Sequence, residues 1–370
     1  MRILIAADYA TPASGNFIAS CVELGRFLRQ NGDDLVFIFP ENNNTLSETS
    51  WVKWLENEDF KVELINIKDK TENQQLEFLI NVIKKYSIDI LHIHFGFFHH
   101  IVTKFANHIG VKIIVHDHMD FSAEGNLTKQ KLRAILSSLV YRKNKITVVS
   151  VNPQKDNMYF FANHKYVPNG LSMLRNVSVS ASREECRAEI GLAPNDKICL
   201  FLGWDLYRKG LDVAIKAVNE IRKENPQMFL GVVGVGTPPT KLCCDFIKER
   251  TGIDPESKWI KFLPSREDMF AYHKAVDVYL SASRAEAFSY GILEAISQNT
   301  PVVVSDIKGT SWCHNYDKAV LYSTEDYKDC ARAIKQALNM HNAKSNYQEI
   351  TDKYNIKHWC KEIYKIYCGL

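Results

Sequence analysis

Three hundred and seventy residues, 46% hydrophobic and 24% charged, suffice for two domains of ordinary globular type and exclude a disordered, collagen-like or coiled-coil chain. Lys plus Arg number 46 and Asp plus Glu 43, so the net charge of +3 gives no electrostatic case for nucleic acid as the main ligand. Nine cysteines at irregular spacings, with no Cys-x-x-Cys, predict neither a disulfide framework nor a zinc knuckle and point to a reducing cytoplasm. The opening MRILIAADYA does not read as a signal peptide, and the sequence holds no uncharged apolar run of membrane-spanning length.

From the N-terminus, short Ile- and Val-rich runs alternate with stretches of helical period, the βαβ signature of a parallel sheet covered on both faces. Strands are predicted at 2–8, 34–40, 62–67, 89–95, 112–118 and 146–151, with helices near 17–31, 72–86, 98–109 and 128–142. After the turn Pro168-Asn169-Gly170 the pattern lapses, and the polar residues 171–195 are read as a linker. It resumes with strands near 198–204, 228–235, 259–263, 277–282 and 301–306. From about Asp326 the period is helical, and Tyr347, Tyr354, Trp359, Tyr364 and Tyr367 need a surface to pack on. The expectation is an α/β chain of two doubly wound, Rossmann-like domains, 1–170 and 196–345, facing across a cleft lined by the loops that follow the strands.

The densest local pattern is SASRAEAFSYGILEAISQNTPVVVSD, residues 281–306. Glu286 falls just past a predicted strand and Glu294 falls inside the following helix. Between them Phe288, Ser289 and Tyr290 open that helix, whose backbone N–H groups suit an anion, while the flanking carboxylates suit sugar hydroxyls. A lone Glu on a helix would merely solvate a face. In the first half, Pro12-Ala13-Ser14-Gly15-Asn16 follows the first strand, and Gly15 would let the backbone approach a donor phosphate or an acceptor. Asn16 joins the candidate acceptor contacts.

Seven of the twelve histidines lie within residues 92–118, and His92-x-His94 and His116-x-His118 each put two imidazoles on one face of a strand. A metal hydrolase is one reading of those pairs, but no further cluster of ligand spacing completes a site. Asp117 and Asp120 stand beside His118, where either could meet an acceptor hydroxyl. Gly234-Val235-Gly236 follows a strand without completing a dinucleotide fingerprint, because Pro239 stands where the third glycine belongs. Residues 128–165 hold eight basic residues against the single acid Asp156. Within 128–145, Leu132, Ile135, Leu136, Leu139 and Val140 recur at helical spacing among the cations, so this helix either lies on an anionic membrane or turns an apolar stripe to the core.

The 281–306 segment resembles the Glu-x7-Glu signature of the GT-B glycosyltransferases, in particular the large retaining family GT4. FLGWDLYRKGLDVAIKAVNEI (201–221), LGVVGVG (230–236) and WIKFLPSREDMFAYHKAVDVYLSAS (259–283) extend the resemblance over most of 197–307, and MRILIA, VHDH (115–118) and YVPNG (166–170) carry it faintly into the first half. The resemblance implies a hexosyl transfer from a nucleotide-diphosphate sugar, a UDP-sugar by family frequency, to a glycan or lipid-linked glycan in cell-surface polysaccharide synthesis. Lys209 and Arg208 would then hold the diphosphate, Glu286 with the backbone at 288–290 the donor sugar, Glu294 the ribose, and His118 would reach the sugar from the first domain; the catalytic set is His118, Glu286 and Lys209. A C-terminal helix, 346–370, would cross back onto the first domain. With no Asp-x-Asp in the sequence, neither cofactor nor metal is expected. Trp204 follows Gly203 where the family carries an Arg, which motivates a second reading as a nucleotide-sugar-binding subunit without turnover; an epimerase acting on the donor alone is a third.

Overall fold

The computed structural model describes residues 1–11, 14–41, 46–118, 127–152, 159–177 and 180–370. Contacts divide the chain into two compact units, residues 1–172 with 354–370, and residues 173–353.

In the first unit β1 (Arg2–Ala7), α1 (Gly15–Gln30), β2 (Asp34–Pro40), α2 (Ser50–Asn57), β3 (Lys61–Ile65), α3 (Glu72–Tyr86), β4 (Ile90–His94), α4 (His99–Ile109), β5 (Lys112–Asp117), α5 (Leu127–Lys143), β6 (Thr147–Ser150) and β7 (Asn163–Tyr166) follow one another. The strands form one sheet, ordered β3-β2-β1-β4-β5-β6-β7. Every pairing is parallel, with Ile3 opposite Ile90 and His94 opposite His116. Central strands read ILIAA and ILHIH because both faces are covered, and their residues are buried throughout. β7 carries Asn-His-Lys-Tyr at the sheet edge, too short and polar for any alternation to announce it. Helix α2 was likewise not foreseen, although Trp51, Val52 and Leu55 give it a buried face.

The second unit holds α6 (Arg183–Glu189), β8 (Lys197–Leu202), α7 (Leu211–Arg222), β9 (Met228–Val233), α8 (Lys241–Thr251), β10 (Ile260–Leu263), α9 (Phe270–Ala275), β11 (Val278–Ser281), α10 (Tyr290–Ser297), β12 (Val302–Ser305), β13 (Ala319–Tyr322), α11 (Tyr327–Leu338) and α12 (Tyr347–Lys353). Its six strands are ordered β10-β9-β8-β11-β12-β13, again all parallel. Inside the stretch read as a linker, Ser182 caps α6 through Glu185 in a reciprocal box. Cys186 of that helix packs on Ala271 and Ala275. The four-residue β13, at the edge of this sheet, was also not foreseen.

The last helix, α13 (Ile356–Cys368), belongs with the first unit, and the expected 346–370 element is two helices divided between the units. Leu171 donates its backbone N–H to Tyr354 at 2.8 Å, Phe27 meets Tyr364 edge-on, and Trp359, Ile363 and Tyr367 are buried. All nine cysteines are unpaired. Among the described residues no helix is long and apolar enough to cross a membrane.

Candidate functional site

In a doubly wound sheet, ligands gather where the strand order reverses, outside the carboxyl ends of the two strands that flank the reversal. In the second unit those strands are β8 and β11, and the loops that follow them, 203–210 and 282–289, contain Arg208, Lys209 and Glu286. The two loops are stitched to one another. Arg284 donates its backbone N–H to the Arg208 carbonyl at 2.8 Å, and Arg208 Nη1 donates to the Ala285 carbonyl at 3.3 Å. Gly210, at φ +74°, lets the first loop pass over the second, since a Cβ there would lie 2.1 Å from the Ala282 carbonyl oxygen. The Arg284 guanidinium forks onto both Asp212 carboxylate oxygens at 3.0 and 2.9 Å and lies over the Tyr207 ring.

The centre of the group is a buried ion pair. Glu286, 7% exposed, accepts from the Lys209 ammonium and, at 2.7 Å, from the Ser283 hydroxyl; Arg208 Nη1 stands 3.9 Å from its second oxygen. Burial pushes this carboxyl up, but the Lys209 and Arg208 charges and the two hydrogen bonds outweigh it and hold the group below the usual glutamate range. Arg208 is itself aimed by Asp205, whose two oxygens accept from its backbone N–H at 3.1 Å and from Nε at 3.0 Å. Both cations therefore arrive with their geometry set by carboxylates. Trp204, which replaces the Arg of the resembled family, is 76% exposed.

Glu294 is not a solvated helix face. It is 5% exposed, with Arg175 Nη1 at 3.7 Å from one oxygen and His273 Nε2 at 3.5 Å from the other. The Tyr279 phenol on β11 is buried, which raises its pKa, and the Glu286 and Glu294 charges raise it further. Phe288 stacks on Trp312 at 4.4 Å, and Ser289 caps α10 by accepting from the Ile292 N–H. Gly309 presses on the loop from behind, and a Cβ there would sit 1.6 Å from the Glu286 carbonyl oxygen.

Arg175, His273, Ser283, Asp205, Trp312 and Gly309 were not singled out from the sequence. Ser283 and Asp205 lie within the quoted motifs, three residues before Glu286 and Arg208, so spacing could have found them. Arg175 is 119 residues from Glu294, and nothing local marks it.

The first unit brings its expected residues to the carboxyl ends of β1 and β5. Gly15 has φ +56° and begins α1. Asn16 is 4% exposed and its amide oxygen accepts from the Ser172 backbone N–H at 3.1 Å, so this side chain fastens the chain within the unit. Asp117 accepts from the Tyr159 hydroxyl at 2.5 Å. His118 pairs its Nε2 with His94 Nδ1 at 2.8 Å and stacks on Phe95. Asp120, with Pro12 and Ala13, lies outside the described residues. His92, His94 and His116 are buried and each offers a ring nitrogen within 4.8 Å of the others, the one described group that could hold a metal. Helix α5 does not turn its apolar stripe to the core: Ser138 and Tyr141 are buried, whereas Leu132, Leu136, Leu139 and Val140 are exposed among the exposed cations Lys131, Arg133, Arg142, Lys143 and Lys145.

Two parallel doubly wound sheets in one chain, with polar loops at the strand-order reversal, define an α/β chain of two Rossmann-like domains of the GT-B class. Residues 182–354 match the family model of glycosyl transferases group 1. The D-inositol 3-phosphate glycosyltransferase of Nocardia farcinica is 31% identical over 149 residues, 39% of this chain and 33% of that protein; its Segniliparus rotundus counterpart is 28% identical over 193 residues, 50% and 39% respectively. The matches thus span well under half the length of these relatives. Anabaena HepE in complex with UDP and glucose superposes with a TM-score of 0.79 at 17% identity over 100% of both chains. A glycosyltransferase from Rickettsia africae does so with 0.76 at 18%, covering 99% of this chain and 97% of that one. At such identity the likeness is one of fold.

Proposed function

We propose that this chain is a retaining glycosyltransferase that moves a hexosyl unit from a nucleotide-diphosphate sugar, a UDP-sugar, to a hydroxyl of a glycan or lipid-linked glycan in cell-surface polysaccharide or glycoconjugate synthesis. The observation that carries the reading is the buried Lys209–Glu286 pair at the strand-order reversal of a segment matching glycosyl transferases group 1. The nucleotide named in the HepE complex favours uridine among the bases.

In this reading Lys209, Arg208 and the opening turn of α10 face the diphosphate, Glu286 orients the donor sugar and Glu294 the ribose. His118 is assigned a substrate contact from the first unit. The acceptor oxygen forms a bond to the anomeric carbon on the face from which the diphosphate departs; the carbon–oxygen bond to the phosphate breaks, and the acceptor's proton passes to the departing phosphate oxygen. The enzyme stabilises the charge that develops there, which is where fixed cations lower a barrier most. We assign that neutralisation to side chains and require no metal. The apolar and basic face of α5 would bring the protein to the cytoplasmic surface of an anionic membrane, where lipid-linked acceptors reside.

The test is sugar release by the purified chain from UDP-, GDP- and ADP-sugars. Slow hydrolysis of a UDP-sugar, lowered roughly ten- to hundredfold in Lys209→Ala, is the expected result. Tight nucleotide binding with neither hydrolysis nor transfer across an acceptor panel would overturn the catalytic reading in favour of a binding subunit.

A further inference from the structure

The first unit contains a column of imidazoles whose hydrogen bonds are more ordered than packing requires. His92 and His94 share one face of β4, and His116 on the adjacent β5 and His118 just past its end continue it. Successive rings pack closely: His92 on His94 at 4.2 Å, His94 on His116 at 4.7 Å, and His116 on His118 at 4.4 Å and 15° between planes. Tyr367 of α13 closes one end, its hydroxyl 2.8 Å from His92 Nδ1. His92 Nε2 lies 3.1 Å from His116 Nδ1, and His94 Nδ1 lies 2.8 Å from His118 Nε2. His94 Nε2 and His116 Nε2 are buried and have no hydrogen-bond partner among the described residues.

These two orphan nitrogens fix the protons. Burial, with the neighbouring imidazoles, drives His92 down to about 3 and His94 and His116 well below the usual histidine range, so each carries one N–H and one lone pair. A buried N–H left without an acceptor is rarer than an acceptor left without a donor. The orphan Nε2 atoms therefore keep lone pairs, and the protons of His94 and His116 sit on Nδ1. His116 then donates to His92 Nε2, His92 donates from Nδ1 to the Tyr367 oxygen, and His94 donates to His118 Nε2. With that lone pair engaged by the His94 N–H, the proton of the His118 ring is left to Nδ1. Protonating His118 at Nε2 would push the His94 proton onto its orphan nitrogen.

We infer that His94, braced by the His116–His92–Tyr367 chain, is a positioning residue that holds His118 as the Nδ1–H tautomer, so that His118 cannot act as a base through Nε2. The inference rests on the proposed substrate contact of His118. A metal centre is the competing use of the same rings. Nitrogens spread to 4.8 Å exceed the roughly 3.4 Å between ligands of a tetrahedral ion with bonds of about 2.05 Å, and the group supplies no anionic ligand.

The test combines spectroscopy with paired substitutions. In protein labelled with ¹⁵N-histidine, long-range ¹H–¹⁵N correlations identify the protonated nitrogen of each ring; Nδ1–H is expected at His92, His94, His116 and His118. An Nε2–H at His94, or zinc retained at one per chain after dialysis against a chelator, would overturn the inference. An asparagine amide can occupy the place of Nδ1 and a glutamine amide that of Nε2. His94→Asn should thus keep turnover of UDP-glucose near the parent's, while His94→Gln lowers kcat about tenfold with KM little changed. Equal losses in the two variants would sink the donor argument. Full turnover in His118→Ala would instead remove His118 from the substrate, and the spectra would still decide the tautomers.

Discussion

Lys209→Ala separates the two duties of one ammonium. In the folded protein it neutralises Glu286, which is 7% exposed and otherwise has the Ser283 hydroxyl at 2.7 Å and Arg208 at 3.9 Å. Two unit charges about 4 Å apart at an effective dielectric constant near 20 attract by about 4 kcal/mol, and breaking a buried pair from one side costs roughly 3–5 kcal/mol. Glu286→Gln in the same chain removes the stranded charge, so the double variant should recover most of that loss in urea unfolding. Turnover should not recover: losing a charge-assisted hydrogen bond to the donor diphosphate costs about 1.5–3 kcal/mol, roughly ten- to hundredfold in sugar release. The pH dependence has a defined sign. Because the folded state lowers the Glu286 pKa, the pair's contribution is present at neutral pH and fades as the pH falls from the ordinary glutamate range through the folded value. Lys209→Ala should lose that acid-side slope. A single variant unfolding within about 0.5 kcal/mol of the parent, or a double variant no more stable than the single, would refute the reasoning.

Gly309→Ala should lower stability by more than about 2 kcal/mol and reduce turnover, because the new methyl must displace the Glu286 backbone; thermal unfolding and steady-state assays check both. Glu294→Ala should weaken UDP binding about tenfold or more in calorimetry, and it leaves the buried Arg175 without that carboxylate, so stability should fall as well. Replacing Leu132 and Leu136 on α5 by Ser should abolish co-sedimentation with phosphatidylcholine vesicles containing phosphatidylglycerol and leave UDP-glucose hydrolysis in solution unchanged. Binding to the same vesicles should weaken as salt rises.

The fold was legible because long apolar strands and helices of regular period dominate both sheets. What escaped carried little pattern: β7 reads Asn-His-Lys-Tyr, with no apolar run to mark it, and β13 is a four-residue stretch at the edge of its sheet. The Glu286 and Lys209 loops could be read because each follows a strand closely and carries its polar residues within one local motif. Arg175 could not. It sits in a stretch with no pattern of its own, and only the folding of α6 and its neighbours into the second unit brings it to Glu294. Tyr367 escaped for the same reason: its aromatic ring announced packing, but its hydroxyl partner, His92, lies 275 residues earlier. Trp204 shows the converse limit, since a departure from a family pattern is visible in sequence whereas the 76% exposure of its side chain is not.

The return of residues 354–370 to the first unit also orders events during synthesis. A ribosome that has finished residue 172 has made every strand of the first sheet but none of α13, so Trp359, Ile363 and Tyr367 are still to come. The 181 residues of the second unit (173–353) must be translated first, roughly 10–35 s at ordinary elongation rates. Until α13 is made, the surface of α1 awaiting it stays uncovered and His92 has no Tyr367 hydroxyl, whereas the core of the second unit needs nothing beyond residue 353. A released chain ending at residue 353 should therefore protect the second unit from protease better than the first.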